Sequence, residues 1–74
     1  MDDPLDHLAK NVLRLRRNRG WTQEQLSERS GVEYKYLQRI ESKRLPGSLS
    51  LRTVCKLAKS LGVEAWELII PTKH

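Results

Sequence analysis

The segment 34–39 brings together side chains that can hydrogen-bond to nucleic-acid bases. Residues three or four positions apart share one face of a helix, and here that face carries Tyr34, Lys35, Gln38 and Arg39. Lysine and arginine can donate to guanine O6 and N7 in the DNA major groove. We therefore predict that Lys35 and Arg39 contact bases, that Tyr34 packs on a sugar or a thymine methyl, and that Gln38 reaches a base, the DNA backbone or solvent. The competing interpretation is an ordinary solvated helix face.

A second group of polar residues flanks this face, and we predict that it contacts DNA phosphates, which position a protein without specifying sequence. Gln23 stands at the start of a helix, where free backbone N–H groups attract an anion. Lys43 and Arg44 follow the polar face directly, although charges in a loop can also serve solubility alone. Tyr36 has two alternatives, a hydrogen bond to a phosphate or a place in the core.

The stretch TQEQLSERSGVEYKYLQRIES, residues 22–42, predicts two short helices joined by a tight turn. Thr22 and Gln25 have the spacing of a capping box, and Gly31 suits a turn that needs a positive φ. Apolar residues at helical spacing give the pair a buried side: Leu26, Val32, Leu37 and Ile40. Two helices that meet at such a turn can place the second one in the major groove of DNA.

Capping residues and helix breakers divide the rest of the chain into three further helices. The predicted starts are Asp3-Pro4, Ser50 and Glu64, and the predicted ends are Gly20, Gly62 and Pro71. Pro46 and Gly47 predict a loop before the fourth helix. Because no strand-like alternation competes with these patterns, the predicted fold class is all-α, a compact five-helix bundle forming one domain over residues 1–74.

Two longer strings, LRRNRGWTQEQLSERSGVEYKYLQRIES and VCKLAKSLGVEAWEL, resemble the phage repressor/Cro-type (XRE-like) helix-turn-helix family. The resemblance covers roughly Leu8 to Leu68. It implies a lambda-repressor-like DNA-binding domain in a prokaryotic or phage transcriptional regulator. Such a regulator, for example a repressor, binds double-stranded operator DNA, usually as a dimer on a near-palindromic site.

The resemblance also implies roles for single residues. Gln23 would grip a phosphate at the start of the second helix. Arg16 and Glu41 would form a partly buried ion pair between the first and third helices, for which an exposed pair of little energetic weight is the alternative. The residues implied to face bases are Tyr34, Lys35 and Arg39.

Three residues depart from the family pattern. Ser27 stands where alanine is usual, Ser30 stands where an apolar residue is frequent, and Glu33 replaces a Ser, Thr or Asn cap. The carboxylate of Glu33 could repel phosphates or accept from a cytosine amino group. The segment LPGSLS is longer than the usual link between the third and fourth helices.

The fifth helix is predicted to carry two outward apolar side chains. Ala65 and Leu68 take its inward face, so Trp66 and Ile69 lean outward. An exposed tryptophan beside an isoleucine is typical of an interface, and we predict a homodimer through Trp66 and Ile69; Trp66 folded over its own core is the alternative. The same surface leaves a second function class open, an antitoxin-like or other module that binds a different protein.

The overall composition limits the remaining possibilities. The formal net charge of +5 over 74 residues favours a polyanionic partner, nucleic acid before an anionic membrane. Cys55, His7 and His74 lack the spacing of a metal site, and no nucleophile and base are paired, so we expect no metal, no cofactor and no enzymatic activity. A single cysteine and the lack of a signal peptide or a membrane-spanning run predict a cytoplasmic protein.

Overall fold

A computed structural model describes residues 3–44 and 49–71 of the chain. The predicted breakers Pro46 and Gly47, His74, and the two ends of the predicted domain lie outside these residues. Five helices follow one another: α1 (Pro4–Asn18), α2 (Gln23–Ser30), α3 (Tyr34–Glu41), α4 (Leu51–Leu61) and α5 (Ala65–Leu68). The described part of the chain contains no strand. The prediction of an all-α, five-helix fold is therefore confirmed.

Side-chain caps explain where most of the helices begin. Asp3 Oδ1 accepts from the Leu5 N–H at 2.9 Å, and Ser50 Oγ accepts from the Thr53 N–H at 3.2 Å. Thr22 and Gln25 bond reciprocally, which completes the predicted capping box. Each contact satisfies an N–H group that a helix start leaves without an intrahelical partner.

The start of α3 lacks such a cap. Glu33 is the N-cap of α3, but its side chain makes no capping hydrogen bond. The carboxylate is exposed.

The core lies where the apolar stripes of the five helices meet. Burying these stripes is the main term that favours the fold. The buried apolar residues are Leu8, Ala9, Val12, Leu26, Val32, Leu37, Ile40, Val54, Leu57, Ala58, Leu61 and Leu68. The central helix pair, α2 and α3, is thus fixed from its inner side, and its outer side is left to solvent.

A buried polar residue that sequence patterns did not single out attaches α5 to α1. The Asn11 side chain is 1% exposed. Its Nδ2 donates to the carbonyl oxygens of Leu68 at 2.9 Å and Ile70 at 2.8 Å, with a longer contact of 3.3 Å to that of Glu67. Carbonyl groups at a helix end have no intrahelical donor, so Asn11 serves as the C-terminal cap of α5.

None of the helices in the described residues combines the length and the apolar character needed to cross a membrane.

Candidate nucleic-acid interface

Two serines and a glycine shape the corner between α2 and α3. Gly31 has a φ of 77°, in the left-handed region. Ser27 Oγ donates to the Val32 carbonyl oxygen at 2.6 Å, and the Val32 N–H donates to Ser30 Oγ at 3.1 Å. Both main-chain groups of Val32 are thus bound by side chains of α2. The two serines that depart from the family pattern therefore tie the corner together.

The outer face of α3 opens into a broad cleft. Leu37 and Ile40 are buried beneath it, while Lys35, Gln38 and Arg39 are exposed. The residues that line the cleft come from α2, from α3 and from the turn after α3: Gln23, Lys35, Gln38, Arg39, Ser42 and Arg44. Three of these residues carry a positive charge and none carries a negative charge. The cleft is therefore electropositive and rich in hydrogen-bond donors.

The two tyrosines of α3 occupy different environments. Tyr34 is 38% exposed, at the first position of the helix. Tyr36 is half-buried and packs against the core, as one of its two predicted alternatives requires. Its edge also lines a small depression beside the cleft, together with Glu33, Lys35 and Arg39.

The two predicted cationic phosphate contacts separate in space. Arg44 lines the cleft. Lys43 has a positive φ of 61° and lines a different depression, beside Asp3 and Asp6 near the start of α1. Of the two, only Arg44 shares the cleft with the polar face of α3.

The cleft is supported from behind by an ion pair between α1 and α3. Arg16 Nε donates to Glu41 Oε2 at 2.8 Å, and Arg16 Nη2 donates to Glu41 Oε1 at 2.9 Å. The two side chains are only 11% and 5% exposed. The Arg16 Nη1 atom donates to the Trp21 carbonyl oxygen at 2.7 Å. The hydrogen bond to Glu41, opposed in part by burial, raises the pKa of Arg16 above its ordinary value.

The same carboxylate also contacts a predicted DNA-binding residue. Gln23 Nε2 donates to Glu41 Oε1 at 3.0 Å. Sequence spacing does not reveal this bond, because the two residues are 18 positions apart and on different helices. The side chain of Gln23 is consequently held against α3 at the wall of the cleft.

Trp21, which precedes the cap of α2, contacts two arginines. The Arg29 guanidinium lies 4.5 Å from the centre of the indole ring, and that of Arg19 lies 5.2 Å away. Arg19 Nη2 also donates to the Leu61 carbonyl oxygen at 2.7 Å, near the end of α4. Arg19 thereby joins the α1–α2 turn to α4, which gives it a structural role that its sequence context did not indicate.

An apolar patch lies on α4 and α5. Trp66 on α5 is 59% exposed and Ile69, the C-cap residue of α5, is 41% exposed, so both lean outward as predicted. Leu51, which is 72% exposed, extends the patch. Leu49, Val54 and Ala65 complete the lining of the shallow groove between them.

Within the described residues, no three His, Cys, Asp or Glu side chains are grouped in a way that could hold a metal ion. Cys55 is exposed on α4 as a free thiol.

Comparison with known proteins identifies the family of this architecture. A helix-turn-helix family model matches residues 12–65, which include the whole corner and the cleft. The chain belongs to the XRE-type helix-turn-helix family. Members of this family are DNA-binding transcriptional regulators with a lambda-repressor-like fold. The relatives that match this chain are regulators and not enzymes.

Two relatives of this helix-turn-helix family match over most of the chain. The first is a hypothetical transcription factor of Neisseria meningitidis serogroup B, which is 38% identical over 67 residues. That alignment covers 90% of this chain but only 61% of the relative. The second is an uncharacterised HTH-type transcriptional regulator of Sinorhizobium fredii, 41% identical over 66 residues, covering 88% of this chain and 82% of the relative.

Two solved helix-turn-helix structures have similar folds. The crystal structure of a hypothetical transcription factor from Neisseria matches with a TM-score of 0.85 and 36% identity, covering 93% of this chain and 77% of the other. The restriction-modification controller protein C.AhdI from Aeromonas hydrophila matches with a TM-score of 0.77 and 31% identity, covering 86% of this chain and 94% of the other.

Proposed function

We propose that this protein regulates transcription by binding a specific double-stranded DNA operator as a homodimer. In each protomer, α3 enters the major groove, and Tyr34, Lys35, Gln38 and Arg39 face the bases. The proposed phosphate contacts are Gln23 and Arg44 in the cleft, Tyr36 beside it and Lys43 outside it. Prokaryotic operator DNA lies in the cytoplasm, so the proposal also places the protein there.

The cleft on the outer face of α3 is the observation that carries this proposal. It combines the cationic side chains of Lys35, Arg39 and Arg44 with the start of α2, where Gln23 lies. A helix start attracts phosphate through its free N–H groups. The cationic residues supply the non-specific electrostatic attraction, and those on α3 supply discrimination between bases.

The apolar patch supports the proposed dimer. Trp66 and Ile69 are large, exposed and adjacent to the exposed Leu51, and the groove between them is lined by apolar residues alone. Tryptophan is enriched among the residues that dominate interface energies. A symmetric pair of protomers would cover both copies of the patch and would present two α3 helices to successive major grooves, about 34 Å apart.

Selection from a randomised pool of duplexes tests this function. We expect a near-palindromic motif to be enriched, with half-site centres about one helical turn apart, because each protomer contributes one base-contacting helix. A pool that remains random after repeated rounds at low salt would contradict sequence-specific binding.

The alternative function is a protein-interaction or antitoxin-like module, in which the same patch binds a different protein. It predicts a stoichiometric complex with one other protein that survives Lys35→Ala and is lost in Trp66→Glu, together with negligible affinity for DNA at low salt.

A further inference from the structure

We propose that Glu41 is a positioning residue that fixes the side-chain amide of Gln23 in the orientation that donates to a DNA phosphate. This inference rests on the proposed function, because it concerns how the protein holds one of its phosphate contacts. Glu41 acts through Gln23 and does not itself touch the DNA. Its side chain is only 5% exposed, behind the cleft.

The hydrogen-bond pattern around Glu41 dictates which way the Gln23 amide turns. Glu41 Oε1 accepts from Arg16 Nη2 at 2.9 Å and from Gln23 Nε2 at 3.0 Å. An ionised carboxylate can only accept hydrogen bonds, so Gln23 must turn its NH2 group, not its oxygen, toward α3. One of the two N–H groups of that NH2 binds Glu41, and the other is left to donate to an acceptor in the cleft.

A carboxylate near DNA would normally repel the phosphates, but the carboxylate of Glu41 is paired with Arg16. Arg16 binds both carboxylate oxygens at 2.8 and 2.9 Å, in a two-pronged geometry that is the strongest form of this ion pair. The positive charge of Arg16 offsets the negative charge of Glu41, so the carboxylate can orient Gln23 without repelling a phosphate. Gln23 is thereby ordered before DNA binds, which lowers the entropic cost of the contact.

The isosteric substitution Glu41→Gln tests the orientation directly. The new amide is neutral and has a single acceptor oxygen for the three donors that now bind the carboxylate, namely Arg16 Nε, Arg16 Nη2 and Gln23 Nε2. If that oxygen takes the place of Oε2, the new NH2 group faces Gln23, and the amide of Gln23 loses its present orientation. If it takes the place of Oε1, Gln23 keeps only a weaker hydrogen bond, to a neutral acceptor. The packing volume at this site would stay almost unchanged.

A double-mutant cycle separates this positioning role from a general loss of stability. Affinity for the selected operator duplex would be measured for the wild type, Gln23→Ala, Glu41→Gln and the double variant, at a temperature where thermal unfolding shows each to be folded. We expect Gln23→Ala to weaken operator binding about tenfold, because one hydrogen bond to a charged phosphate is lost. In the wild-type background, we expect Glu41→Gln to weaken operator binding about fivefold. In the Gln23→Ala background, the same substitution should weaken binding by less than about twofold, because the side chain that Glu41 orients is then absent. An equal loss in both backgrounds would overturn the positioning role.

A measurement on the wild-type protein keeps the proposal testable if Glu41→Gln does not fold. In the DNA-free protein, NMR relaxation of the Gln23 side-chain NH2 group should give an order parameter close to that of the rigid backbone, about 0.85. The exposed Gln38, in the same cleft, is the matched control and should fall below about 0.6. A Gln23 value as low as that of Gln38 would overturn the proposal.

The two proposals fail in distinguishable ways. A wild-type protein that binds no duplex, selected or random, refutes the proposed function and this inference together. A wild-type protein that binds its operator, but with additive losses in the cycle, refutes only the role of Glu41.

Discussion

At the scale of single residues, Arg16 is the side chain on which most of the site depends. It binds both oxygens of Glu41 and the carbonyl oxygen of Trp21. It therefore connects α1, the turn before α2 and the end of α3. Because both charged groups are largely shielded from water, removing one would leave the other poorly solvated inside the fold.

We predict that Arg16→Met lowers the free energy of unfolding by about 3 kcal/mol, because it leaves the buried Glu41 carboxylate without its cationic partner. Urea denaturation measures this change. The matched control is Arg17→Met, at an exposed position of the same helix, which should change the free energy of unfolding by less than about 0.5 kcal/mol. A loss of less than about 1 kcal/mol in Arg16→Met would show that the pair behaves as an exposed one.

At the scale of secondary-structure elements, α5 cannot be stable by itself. It has four residues, far fewer than an isolated helix needs. Leu68 anchors it in the core, and the amide of Asn11 holds the carbonyl groups at its end. The orientation of the apolar patch therefore depends on a residue of α1.

We predict that Asn11→Ala destabilises the protein by about 1–3 kcal/mol, because buried carbonyl groups lose their donor. The effect should be concentrated in α5, whose amide hydrogens should exchange faster in the variant while those of α3 stay protected. Hydrogen exchange followed by NMR measures both helices in one experiment. Asn18→Ala, at the exposed end of α1, should leave both patterns unchanged. If amide exchange became equally faster in α3 and α5, the result would contradict a stabilisation by Asn11 that is confined to α5.

The elements also show which parts of the structure the sequence predicts. Helix starts at Asp3, Thr22 and Ser50 were predictable, because a cap and the N–H group that it binds lie within three residues of each other. The partners of Asn11 are 56 to 59 positions away. No periodicity encodes such a contact.

The candidate site also has one part that the sequence predicts and another part that it does not. The exposed face of α3 follows from helical spacing alone. The bond between Gln23 and Glu41 depends on how α2 and α3 cross, and it emerges only in three dimensions. Likewise, Lys43 and Arg44 are adjacent in sequence, yet they line different depressions because the backbone turns sharply at Lys43.

At the scale of the whole molecule, the cleft and the apolar patch lie on different elements. The cleft is built from α2, α3 and the following turn, and the patch is built from α4, α5 and the approach to α4. A dimer formed through the patch would leave both clefts open. Such a dimer would bind the operator more tightly than one protomer does, because it doubles the number of DNA contacts. Since dimer formation depends on protein concentration, operator occupancy would depend on it as well.

We predict that Trp66→Glu abolishes dimerisation without unfolding the protomer. The substitution places a charge in the centre of the apolar patch, whereas the indole is 59% exposed in the protomer and contributes little to its core. Sedimentation velocity over a wide concentration range measures the effect. Lys59→Ala, which also lowers the net charge by one but lies outside the patch, should dimerise like the wild type. A wild type that stays monomeric at every concentration would contradict the interface.

The measurement that tests the central claim most directly is the ratio of affinities for the selected operator and for a shuffled duplex of the same composition. We predict that Lys35→Ala and Arg39→Ala each lower this ratio about tenfold, as expected when a base contact is lost. Lys59→Ala, which removes a positive charge outside the cleft, should weaken binding to both duplexes about equally and leave the ratio unchanged. If all three variants preserve the ratio, or if all three lower it alike, α3 does not determine the DNA sequence that this protein binds.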